Sequence, residues 1–286
     1  MLRFTFAAAL FALVTHAPAS AEEAAACPAR TEQNLYNLGY QVKSGLEHDT
    51  VKVFQYAAAA VDQCSDRTDV NGLAVPLLDA VAKAFPPGES QLVALSKAYE
   101  AVINNGRAWR VEIPSVTITL PDGSASQVDT YNSVTDYHYK SIIPQLLTLA
   151  DAGTVHPMFS DAPLAECPFP PSAEDRVLKE AKALRDAAEN RWDGEVTFAT
   201  NRLRALRDAC DFVRPRLTYE LGELYAHAAT EQHTMTHNEK AVELAGHAVT
   251  ELEDFMTYAG LEPPLADWKF NVPADIANMK KLITDN

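Results

Sequence analysis

Four cysteines are all this chain has, and no two stand in a Cys-x-x-Cys arrangement. That absence removes haem attachment, a thioredoxin-type redox pair and a zinc ribbon. Basic residues are scarce too: 24 Lys and Arg face 39 Asp and Glu, a net charge of −15. Nucleic-acid binding needs cations to displace condensed counterions, so no nucleic-acid partner is expected. Beyond the N-terminus no apolar run approaches the roughly 20 residues of a spanning helix, so no membrane span is expected. Gly-x-Ser-x-Gly, His-Glu-x-x-His, phosphate-loop and dinucleotide motifs are all missing. No catalytic residue and no cofactor is therefore assigned. The lack of an Asn-x-Ser/Thr sequon suits a bacterial source.

What is present begins with an export signal. Arg3 supplies a positive charge, Phe4 to Val14 is an uncharged apolar run, and Ala19-Ser20-Ala21 is a small-x-small cleavage site. The run is too short to span a bilayer, so the mature chain is expected in the periplasm or the medium. Ala24-Ala25-Ala26-Cys27 only faintly matches a lipoprotein box, because Glu22 and Glu23 separate it from the apolar run. In an exported chain an even cysteine count favours disulfides. Cys27 and Cys64 flank two helical arms of near-equal length, which predicts their pairing and leaves Cys167 to pair with Cys210.

Apolar periodicity is helical over most of the rest, so the expected fold is mainly α. Residues 22–106 read as two helical hairpins. The first has arms around Leu35, Leu38 and Val42 and around Phe54, Ala57 and Val61; the second has arms around Leu73 to Phe85 and Leu92 to Ile103. Pro76 is expected in a first helical turn, Ser90 as a cap, and Gly106 as a left-handed terminator. Residues 107–133 alternate apolar and polar around Pro121-Asp122-Gly123, which predicts a β-hairpin insertion with its return strand over Gln127 to Tyr131. A short helix occupies 134–153, and 154–171, with five prolines, reads as a stiff connector. Residues 172–286 are helical again, with capping boxes expected at Ser172 and Thr236.

Two blocks share one plan, Cys-Pro, helix, turn, helix, Cys, then another hairpin, starting at Cys27-Pro28 and Cys167-Pro168. Two stretches resemble tetratricopeptide and Sel-like repeats. One is Leu35-Tyr36-Asn37-Leu38-Gly39-Tyr40 followed by Phe54-Gln55-Tyr56 and Ala57 to Ala60. The other is Leu221-Gly222-Glu223-Leu224-Tyr225 followed by Ala241, Ala245 and Ala248. The resemblance covers about a quarter of the chain and implies protein or peptide binding on a groove.

The alternative function rests on a C-terminal concentration of possible metal ligands, His227, Glu231, His233 and His237, with Glu223 and His247 nearby. Imidazole and carboxylate at helical spacing are what a metal- or small-ligand site, or an enzyme, requires. Against it, the same residues fit a solvated helix face opposite Leu221, Leu224 and Tyr225. Tyr131, Tyr137, His138 and Tyr139 are expected to pack the hairpin onto helices. Arg202, Arg204, Arg207, Arg214 and Arg216 are expected to pair with surface acids.

Overall fold

Cys27 and Cys64 bracket the first two helices and are bonded, with Cα atoms 4.8 Å apart. The computed structural model describes residues 27–107, 115–188, 194–259 and 271–286. The leader lies outside the described residues. Helix α1 spans Thr31–Lys43 and α2 spans Thr50–Gln63. Between them Gly45 takes a positive φ of 68°. Asp49 caps α2, its carboxylate accepting from the Lys52 amide at 3.0 Å.

Helix α3, Thr68–Ala84, starts a full turn before the expected place. The cause is Asn71, whose side-chain amide donates to the carbonyls of Cys64 and Arg67 at 2.7 and 2.8 Å and so secures the added turn. Pro76 is consequently inside the helix, where its missing N–H leaves the Gly72 carbonyl without its usual partner. Helix α4, Glu89–Arg107, includes Ser90 and runs through Gly106, which is helical and packs against the Phe169 ring. Neither residue has the terminal role expected of it.

Strands β1, Ser115–Thr119, and β2, Ala125–Asp129, pair antiparallel with Val116 opposite Val128 and Ile118 opposite Ser126. Val116 and Ile118 face the core while Thr117 and Thr119 face solvent. The side-chain amide of Gln33 on α1 bonds both the N–H and the C=O of Thr119, at 2.8 and 3.2 Å, as a neighbouring strand would. An isolated hairpin is marginal, and this clasp seats it on α1. The return strand stops at Asp129 because that carboxylate accepts from the Tyr131 amide at 2.9 Å and starts α5, Tyr131–Tyr137. A π-helical turn, His138–Ile142, joins α5 to α6, Ile143–Asp151.

The proline-rich stretch, largely exposed or half-buried, is anchored to the rest of the fold at a few points. Phe159 and Phe169 are fully buried, and Cys167 is bonded to Cys210 with Cα atoms 4.9 Å apart. Helix α7, Glu174–Ala188, begins after a 3-10 turn at Pro171–Ala173, so Ser172 lies before the helix and does not cap it. Then follow α8, Gly194–Ala209, α9, Arg214–Thr234, α10, Asn238–Ala259, and α11, Val272–Asp285. Thr236 has φ 66° and acts in the α9–α10 turn, where the His237 amide donates back to the Gln232 carbonyl at 2.9 Å. It terminates α9 and does not open α10.

The described chain is mainly helical with one small two-stranded sheet. The order cysteine, helix, helix, cysteine, long helix, long helix occurs twice. It runs through α1 to α4 and again through α7 to α10. One hydrophobic core runs through both halves, with a smaller cluster of Leu252, Phe255, Ala259 and Val272 at the α10–α11 end. Among the described residues no helix is long and apolar enough to cross a membrane.

Candidate functional site

Three polar or concave features stand out, and the first is a buried seam between the halves. Helix α7 turns Val177, Ala181 and Leu184 inward, and Glu180 lies on the same face. Helix α8 does the same with Ala199, Leu203 and Leu206, carrying Arg202 with them. Arg202 Nε donates to Glu180 Oε1 at 2.6 Å, and its Nη2 donates to the Tyr99 hydroxyl of α4 at 2.5 Å. That hydroxyl donates to Glu180 Oε2 at 2.8 Å, and His138 Nε2 stands 3.0 Å from the same oxygen. Burial opposes ionisation of Glu180, but Arg202 and His138 outweigh it and hold its carboxyl down at about 2. Burial pushes His138 below the usual histidine range and Tyr99 well above the usual phenol range. With Glu180 ionised, the neutral His138 donates from Nε2.

A second buried cation sits beside this group. Arg176 donates to Asn105 Oδ1 at 2.5 Å and to the carbonyls of Val102 and Tyr131 at 3.3 and 3.2 Å, with its guanidinium 4.2 Å over the Tyr131 ring. The expected surface pairing is thus corrected for Arg202, which is a core residue, and for Arg204, which bonds the Tyr225 hydroxyl and no carboxylate among the described residues. Arg207, Arg214 and Arg216 do pair with surface acids, namely Glu251, Asp211 and Glu174. Tyr99, His138, Glu180 and Arg202 are all 5% exposed or less, which closes them to any substrate. Their arrangement fixes how α4, α7 and α8 meet.

The second feature is a groove in the first half. Helices α1 and α5 form its walls and α3 its floor, with β2 closing one end. Its volume is about 700 Å³. Tyr36, Tyr40 and Tyr137 line the rim and Leu73, Pro76 and Leu77 the floor; Lys43 and Asp129 are the charged residues of the lining. Gly39 on α1 faces Leu77 of α3, and a Cβ there would stand in ordinary contact at 3.9 Å from Leu77 Cδ2. Tyr40 remains half exposed. Tyr137, Tyr131 and His138 therefore separate: one lines the groove and the other two turn inward.

The third feature is a smaller cavity of about 200 Å³ between α8, α9 and α10, lined by Arg204, Tyr225, Glu231, Lys240, Glu243 and His247 among others. Arg204 Nη2 donates to the Tyr225 hydroxyl at 2.8 Å, and the His247 ring stacks on that of Tyr225 at 5.1 Å. Of the metal-ligand candidates, Glu231 reaches this cavity. His227 faces Asp275 of α11, whose carboxyl burial pushes up and His227 pulls down. His233 is exposed, and His237 Nδ1 lies 2.9 Å from Gln232 Oε1. Among the described residues no group of three or more His, Cys, Asp or Glu side chains is placed to hold a metal ion. No protein-family model, curated protein or solved structure matches the chain.

Proposed function

We propose that the chain is an exported, disulfide-stapled helical binding protein whose α1–α3–α5 groove receives an apolar segment of another polypeptide. The groove itself carries this reading. It is predominantly apolar and rimmed by tyrosines, and one of its walls, α1, belongs to a disulfide-braced hairpin. Interface cores are poor in charge and rich in tyrosine, and pre-formed walls avoid the ordering cost of binding. The resemblance of the α1–α2 segment to tetratricopeptide-like hairpins, with Ala57 and Ala60 buried on α2, is consistent with the same mode of binding. Two disulfides support the oxidising compartment outside the cytoplasm.

Affinity capture from the native envelope tests the reading. Wild-type protein is expected to retain a discrete polypeptide. Ala80→Trp, which fills the floor, and Tyr40→Asp, which charges an exposed rim position, are both expected to lose it with unchanged melting temperature. Equal retention by both variants contradicts the proposal.

A further inference from the structure

In a chain with so large an excess of acid, Arg204 has no carboxylate partner among the described residues. Its neighbours in sequence do: Arg202 holds Glu180 and Arg207 holds Glu251. Arg204 is instead held by the Tyr225 hydroxyl, on the wall of the α8–α9–α10 cavity. Tyr225 is itself 4% exposed, so the phenol fixes the guanidinium from below while leaving its charge uncompensated. Two turns along α9, Glu231 lines the same cavity, and its carboxylate makes no ion pair or hydrogen bond among the described residues. Glu243, by contrast, is occupied by Lys240 at 3.3 Å. An unpaired cation and an unpaired anion thus share one small cavity, whose lining also includes the apolar Val196, Ala228 and Leu244.

Opposite charges that line one cavity without pairing with each other match a ligand that carries both. We propose that this cavity binds a small zwitterion of amino-acid to dipeptide size. Arg204 takes its carboxylate in a bidentate pair, Glu231 takes its ammonium, and Val196, Ala228 and Leu244 cover its aliphatic part. The volume of about 200 Å³ suits a ligand of that size and no larger polymer. The His247 ring, stacked on Tyr225, also lines the site. This site is independent of the groove and lies in the other half of the chain.

Isothermal titration of the mature protein with L-leucine and glycyl-L-leucine tests the proposal. The controls are 4-methylpentanoate, which lacks the ammonium, and isoamylamine, which lacks the carboxylate. At least one zwitterion is expected to bind, at least about tenfold more tightly than either singly charged control. Arg204→Met is expected to abolish that binding and Glu231→Gln to weaken it about tenfold. Both residues are exposed at the rim, so the variants are expected to keep the wild-type melting temperature. Failure of both zwitterions to bind overturns the proposal. So does binding of 4-methylpentanoate as tight as that of the zwitterions, which would make this an anion site only, and so does unchanged binding by Arg204→Met.

Discussion

Glu180 on α7 and Arg202 on α8 meet at 2.6 Å with neither more than 2% exposed, and the Tyr99 hydroxyl of α4 bonds both. A buried pair of this kind contributes less to stability than to the choice of one arrangement, because desolvation offsets most of the attraction. Removing one partner is a different matter, since it strands the other charge. Arg202→Met is expected to cost about 3–5 kcal/mol of unfolding free energy, and Arg202→Met with Glu180→Met to recover much of the loss. Urea titration of the two variants decides it; an equal loss in both contradicts the stranded-charge account.

Acid is expected to loosen the fold in two stages. His156 Nδ1 accepts from the Met158 amide at 3.1 Å, so protonation sets a donor against a donor. Burial and then Arg202 push this histidine from 6.5 down to about 4, and burial lowers His138 as well. Between about 6.5 and 4 the unfolded chain takes up a proton at His156 that the folded chain refuses, and His138 acts in the same direction, so stability falls as pH falls. Glu180, ordinarily near 4.5 and held at about 2, adds a second loss across that lower interval, because it is ionised only when folded. His156→Asn, which keeps a side-chain oxygen to accept from Met158, is expected to flatten the upper stage of a melting-temperature profile. A profile unchanged by that substitution contradicts the assignment.

The disulfides close loops of 37 and 43 residues. On the chain-entropy account each contributes about 4 kcal/mol. Cys27→Ser with Cys64→Ser, and separately Cys167→Ser with Cys210→Ser, are each expected to lower the denaturation midpoint strongly. Non-reducing peptide mapping of wild-type protein is expected to give the 27–64 and 167–210 peptides and no cross-pairing.

Close approach at Gly72 is the fourth test. A Cβ there would stand 2.4 Å from Thr130 Cβ, next to its backbone, and 2.8 Å from Asn105 Nδ2, which is held by hydrogen bonds to the Thr68 carbonyl and Thr130 Oγ1. Gly72→Ala is expected to cost about 1–3 kcal/mol by overpacking, although alanine is the better helix former. A gain in stability would mean α3 and α5 are free to separate.

Helical stripes, both cysteine pairs and the hairpin turn were legible because each follows from local period or turn chemistry, as in Leu217, Leu221 and Leu224 or Pro121-Asp122-Gly123. The seam was not read, yet its trace is in the sequence. Glu180 falls within the stripe of Val177, Ala181 and Leu184, and Arg202 within that of Ala199, Leu203 and Leu206, so opposite charges occupy matching inward positions on successive helices. A charge on an apolar face reads as surface until its partner on another helix is known. The groove was legible only as a hairpin resemblance, because its far wall, α5, starts where Asp129 ends a strand that the alternation carries on to Tyr131. Helix starts at Thr68 and Glu174 depended on side-chain bonds and a 3-10 turn that no period encodes.

Site-specific photo-crosslinking in the native envelope tests the groove most directly. A photoreactive phenylalanine replaces Tyr40 on the rim, and in a control Val93, an exposed apolar residue outside the groove lining. The account predicts a discrete crosslinked polypeptide from position 40, lost when Ala80→Trp fills the floor, and none from position 93. No adduct from position 40, or the same adduct from both positions, would contradict it.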